Sequence, residues 1–131
     1  MAFLLTLLAV APTALAGDLR LVEAARNQDQ QQIRILLNQH IDVNLRSEDG
    51  STALLWAAHW NDLATAGLLL RAGADANAAN DFRMTPLSQA CTNGSARFIE
   101  LLLNAGAQPN TPIATGETPL MTCANVARPA S

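Results

Sequence analysis

The sequence predicts an all-α solenoid of stacked helix-turn-helix units with β-turn or hairpin loops between them, and three sets of markers predict it. Thr52-Ala53-Leu54, Thr85-Pro86-Leu87 and Thr118-Pro119-Leu120 recur every 33 residues. Asn44, Asn77 and Asn110 share that period. So do the doublets Leu36-Leu37, Leu69-Leu70 and Leu102-Leu103. A fixed period in this range is the mark of a repeat array, in which each unit buries its apolar face against its neighbours.

Within a unit, the elements follow in order. Thr52 offers a hydroxyl as N-cap of a short first helix. Pro86 and Pro119 follow the equivalent threonines, at the helix position that tolerates proline best. Leu54, Ala57 and Ala58 fall at i, i+3 and i+4, one helical face. The same positions hold Leu21-Ala24-Ala25, Leu87-Ala90-Cys91 and Leu120-Cys123-Ala124. Small side chains there let neighbouring helices approach closely. A second helix follows a tight turn, with N-caps at Asp29, Asp62 and Ser95. Gly73 and Gly106 end it, where a positive φ is required. His40 takes that place in the first unit, and Arg83 replaces glycine in the loop series Gly50, Arg83, Gly116.

These residues resemble the ankyrin repeat, whose pattern is roughly G-x-T-P-L-x-x-A-A followed by L-L-x-x-G-A-D-x-N. Here it reads Gly50-Ser51-Thr52-Ala53-Leu54-Leu55-Trp56-Ala57-Ala58, then Leu69-Leu70-Arg71-Ala72-Gly73-Ala74-Asp75-Ala76-Asn77. The resemblance implies an ankyrin-repeat solenoid across 17–131, with units 18–46, 47–79, 80–112 and a truncated 113–131. Departures are modest. Leu55 and Ser88 stand where the family usually has histidine, and Gln108 replaces an expected aspartate. Arg128-Pro129 aligns with the start of a second helix, so the chain reads as an N-terminal fragment of a longer array.

Residues 1–16 are a different kind of sequence. Phe3 to Ala11 is apolar except for Thr6, Pro12 follows, and Ala14-Leu15-Ala16 supplies the small residues of a cleavage site. No ionisable side chain precedes Asp18. This is the layout of a secretory signal peptide, with cleavage expected before Gly17. The alternative is an apolar capping helix. The apolar run is too short to remain as a membrane span. The expected address is therefore the periplasm or the exterior. Arginine without lysine fits G+C-rich coding and, with export, points to a bacterium.

Composition excludes much else. The chain has 131 residues, half of them apolar and 15% charged, enough for one ordinary domain. Its net charge is −3 and all eight cations are arginine, which gives no basic footprint for nucleic acid. Two histidines and two cysteines fall short of most metal or disulfide frameworks. His40 and His59 belong to different units, with no carboxylate cluster joining them. No phosphate loop, dinucleotide fingerprint or lipase elbow is present. No catalytic residue, metal or cofactor is expected. Cys91 and Cys123 occupy small apolar positions, offset from one another, on successive units, whose stacked helices should lie about 8–10 Å apart. A disulfide wants Cα atoms within about 7 Å, so free thiols are expected. Asn93-Gly94-Ser95 is a glycosylation sequon, meaningful only in a eukaryotic secretory pathway.

The resemblance also implies a protein partner, held on the concave side by two adaptable strips. The loop strip is Glu48, Asp49, Ser51, Asp81, Phe82 and Met84, continuing to Thr115 and Glu117. The helix strip is Arg26-Asn27, His59-Trp60, Thr92-Asn93 and Asn125-Val126. Trp60 and Phe82 read as interface anchors, although Trp60 could instead pack over a neighbouring helix end. Trp56 reads as core. The leading function is a non-catalytic, monomeric binding scaffold. Alternatives are a periplasmic protective or immunity-type binder, and the regulatory array of a longer enzyme.

Overall fold

The computed structural model describes residues 19–110, 116 and 118–127. The expected signal peptide, Thr115 and Glu117 lie outside them. The elements are helices α1 (Arg20–Arg26), α2 (Gln30–Asn38), α3 (Ala53–His59), α4 (Leu63–Arg71), α5 (Pro86–Asn93), α6 (Ala96–Asn104) and α7 (Pro119–Ala127), with no strand among the described residues. None of these helices is long and apolar enough to cross a membrane.

Every described helix after α1, which follows Leu19 without a side-chain cap, begins where a side chain satisfies a free amide. The backbone N–H of Leu55 donates to Thr52 Oγ1 (3.2 Å), that of Ser88 to Thr85 Oγ1 (3.1 Å) and that of Met121 to Thr118 Oγ1 (3.2 Å). Ser88 Oγ in turn accepts from the Thr85 N–H, closing a capping box. Asp29, Asp62 and Ser95 cap α2, α4 and α6 by accepting from Gln32, Thr65 and Phe98. The periodic threonines and acids of the sequence are thus the helix starts.

The turns repeat with equal fidelity. Gln28, Asn61 and Gly94, spaced by 33, all take positive φ between paired helices. His40 (φ 56°) does what Gly73 (98°) and Gly106 (94°) do at the ends of second helices. Arg83 (60°) matches Gly50 (80°) and Gly116 (86°) in the loops. Gly50 is fixed by space as well as by φ. A β-carbon there would lie 2.8 Å from Asp81 Oδ1 and 3.0 Å from the Asp81 amide nitrogen, because that amide donates to the Asp49 carbonyl of the loop before it.

One continuous core runs through the array. Leu21, Ile33, Leu36, Leu54, Leu69, Leu87, Phe98 and Leu102 are all buried, with Ala24, Ala25, Ala57, Ala58, Ala90 and Cys91 between them. Between units an asparagine latch repeats. Asn44 Nδ2 donates to the Gly73 carbonyl (3.2 Å) while its Oδ1 accepts from the Asp75 amide (2.8 Å). Asn77 does the same to Gly106 (3.1 Å) and Gln108 (2.7 Å). The periodic asparagine therefore makes inter-unit hydrogen bonds.

The cysteines overturn one expectation. Cys91 on α5 and Cys123 on α7 form a disulfide, their Cα atoms 4.5 Å apart. Helix axes are the wrong measure of this distance. Each Cα rides about 2.3 Å off its axis, so residues facing one another across a small-residue interface come much closer than the axes do. The thiols expected to be free are paired.

Candidate partner-binding face

The loops between units are held by short-range bonds. The Ser47 amide donates to the Ser51 carbonyl (3.0 Å), and Gly50 to that of Ser47 (2.9 Å). One unit later, Asn80 bonds Met84 (3.1 Å) and Arg83 bonds Asn80 (2.9 Å) in the same pattern. Asn80 Oδ1 also accepts from the amides of Phe82 and Met84, both at 3.0 Å. Each loop is therefore a rigid finger. Phe82, at the tip of the second, is 66% exposed.

Asp49 is fixed in the first finger. Its carboxylate accepts from Ser47 Oγ (2.6 Å), the Ser51 amide (3.1 Å) and Ser51 Oγ (3.0 Å). The Ser47 hydroxyl, then the Ser51 amide, hold its carboxyl below the usual carboxylate range, against a smaller opposing effect of desolvation. The group stays charged well into acid. Ser51, expected on the binding strip, is instead buried beneath Asp49. It orients the charge that a partner would meet.

The helix strip carries an aromatic cluster. The Trp56 and His59 rings meet edge-on at 5.4 Å, and those of His59 and Trp60 at 4.8 Å. The Arg26 guanidinium lies 5.7 Å from the Trp56 ring centre. Trp60 Nε1 donates to the Arg26 carbonyl at 3.0 Å. The cluster closes on itself across two units. Trp60 therefore caps the neighbouring helix end, the alternative the sequence left open for it, while its ring stays 43% exposed. Asn93, 33 residues on, repeats the capping role, its amide donating to the carbonyls of Ala58 (2.7 Å) and His59 (3.3 Å). The sequon asparagine thus spends its Nδ2 on the neighbouring unit. Thr92 is exposed, its hydroxyl turned back to the Ser88 carbonyl.

Two clefts open between these strips. The larger, of about 590 Å³, is lined by Leu19, Val22, Glu23, Arg26, Ser47, Glu48, Asp49 and Trp56. The smaller, of about 190 Å³, is lined by Leu55, Trp56, His59, Asn80, Met84, Gln89, Asp49 and Ser51. Of the expected site residues, Glu48, Asp49, Arg26, His59, Ser51 and Met84 come together in these clefts. Trp60, Asp81, Phe82, Thr92 and Asn93 line neither. Trp56, expected in the core, is half-buried and forms the wall that both clefts share. Its place was readable. Residues 56, 59 and 60 sit at i, i+3 and i+4, so they share a helix face. Glu23 and Gln89 had no comparable signal.

Among the described residues no group of three or more His, Cys, Asp or Glu side chains could hold a metal ion. No buried side-chain nitrogen or oxygen among them lacks a hydrogen-bond partner.

Capped helix pairs stacked in register, with rigid loops projecting beside a concave cleft, define a repeat scaffold. The family model for ankyrin repeats (3 copies) matches residues 8–80 and 61–128, and the chain belongs to the ankyrin repeat family. Arrays of this family are generally protein–protein interaction modules and typically non-catalytic. Among curated proteins no significant match was found.

Proposed function

We propose that this chain is a non-catalytic scaffold that binds a partner protein through its concave face, and that it works outside the cytoplasm. The observation that carries the binding reading is the shared wall of Trp56 between two adjoining clefts, with the 66%-exposed Phe82 projecting from a rigid loop beside them. Large apolar side chains held in water mark contact sites. Acids and amides around them supply a polar rim. Export rests on the signal-peptide layout of residues 1–16, and the Cys91–Cys123 disulfide supports it, since such bonds persist in oxidising compartments.

A photo-crosslinking amino acid placed at Phe82, and separately at Ile35 on the second-helix side, tests the binding reading in the native host. Adducts from position 82 and none from 35 are expected. Adducts only from position 35 overturn it. The mass of the mature chain tests export: it should begin at Gly17, and recovery from cytosol with residues 1–16 intact sinks that part.

A further inference from the structure

The two concave clefts differ in charge. Glu23, Glu48 and Asp49 border the larger one, against a single cation, Arg26. That arginine is already engaged, 5.7 Å from the Trp56 ring centre and 3.9 Å from Glu23. Asp49 and Glu48 face the cleft from the loop side. Asp49 belongs to both clefts and cannot swing away, because Ser47 and Ser51 hold its oxygens. The smaller cleft is otherwise lined by Leu55, Trp56 and Met84, with Ser51, His59 and the neutral amides of Asn80 and Gln89.

A segment crossing from one cleft to the other thus meets a fixed negative charge beside an indole wall, then an apolar recess. A basic side chain suits the first place on two counts. Its head reaches the carboxylates, and its methylenes or guanidinium lie against the indole. Arg26 shows that the Trp56 ring accepts a guanidinium in this surrounding. An acidic side chain there would bring like charges together, which costs specificity and on-rate alike.

Resting on the concave-face reading above, we infer that the occupant is an extended peptide segment with a lysine or arginine in the larger cleft and an apolar side chain in the smaller. Neighbouring units of a helix stack lie about 8–10 Å apart, and an extended chain advances about 3.3 Å per residue. The two side chains are therefore roughly three residues apart, giving the pattern basic-x-x-apolar.

A random twelve-residue peptide library selected on the full chain tests this, with binders measured by fluorescence polarisation. Sequences carrying Lys or Arg three residues from Leu, Ile, Met or Phe should be enriched. Their affinity should fall tenfold or more on the doubly substituted E23Q/E48Q chain, whose exposed positions leave the fold intact, and should weaken with added salt. Binders without that basic preference, unaffected by E23Q/E48Q but weakened by Phe82→Ser, overturn the charge inference and leave the concave reading standing. Binders indifferent to all three substitutions overturn the concave reading, and a library yielding no binder counts against both.

Discussion

The inner layer of first helices and the outer layer of second helices are built on opposite rules. Helices α1, α3, α5 and α7 touch their neighbours closely, through Ala24-Ala25, Ala57-Ala58, Ala90-Cys91 and their equivalents. Helices α2, α4 and α6 carry the large side chains, Ile33, Leu36, Leu69, Phe98 and Leu102, pointed inward. They meet one another at few points, leaving open clefts lined by Leu63 and Leu101, and by Gly67 and Leu70. Small residues draw the inner layer together and bulky ones fill the space beneath the outer layer. A stack closer on one side than the other must curve, and the concave side is where the aromatic cluster and loops converge. Curvature, and with it the place of the proposed binding face, follows from which residues are alanine and which are leucine.

Removing volume from the outer layer's buried side is the strongest way to test this division. Leu69 is fully buried, and Leu69→Ala should cost about 2–5 kcal/mol through the cavity it leaves. A denaturant titration reads the loss, and an unchanged midpoint would show that the second helices do not supply the core. Next is the covalent link within the inner layer. Cys123→Ser should cost roughly 2–4 kcal/mol, with α7 losing hydrogen-exchange protection first. The intact oxidised chain should weigh two hydrogens less than the reduced one. Equal masses with and without reductant would refute the pairing.

Adding volume to the inner layer should also hurt. Ala58 is fully buried, and Ala58→Leu should cost about 1–3 kcal/mol by forcing helices apart. A neutral result by thermal melting would mean that the inner helices are not close-packed there. Trp60→Phe is milder. It keeps a ring at the surface and deletes the indole bond to the Arg26 carbonyl, for about 0.5–1.5 kcal/mol. If the melting temperature holds and binding falls, Trp60 is an anchor alone.

The repeat order was legible because capping and positive-φ positions are local, and one side chain or one backbone angle decides each. Thr52, Asp62 and Gly73 announce themselves in any context. The stripe Leu54, Ala57 and Ala58 was legible for the same reason, as a helix face. What escaped depended on contacts between units. The meeting of Cys91 and Cys123, offset by one residue from the period, needs the facing geometry of two helices. The bond from Trp60 to Arg26 spans 34 residues and joins a side chain to a backbone carbonyl, which leaves no trace in residue type. Trp56 misled because tryptophan in a helix beside alanines usually reads as core, whereas here the first cleft opens beside it.

The smallest expected effect is a gain, and it separates the two layers most cleanly. Gly67 lies inside α4, where glycine costs more conformational entropy on folding than alanine does. Its φ is not in the left-handed region, and a β-carbon built there meets nothing within 4 Å. It borders the open outer cleft with Leu70 and Leu101. Gly67→Ala should therefore stabilise the chain by about 0.5–1 kcal/mol, chiefly by restricting the unfolded state. The same gain of side-chain volume that damages the inner layer at Ala58 is accommodated here, because the outer helices stand apart. A raised denaturant midpoint with an unchanged slope is the expected result. A loss of stability would mean that the outer cleft is closed in solution, and the contrast between loose and close-packed layers would fall with it.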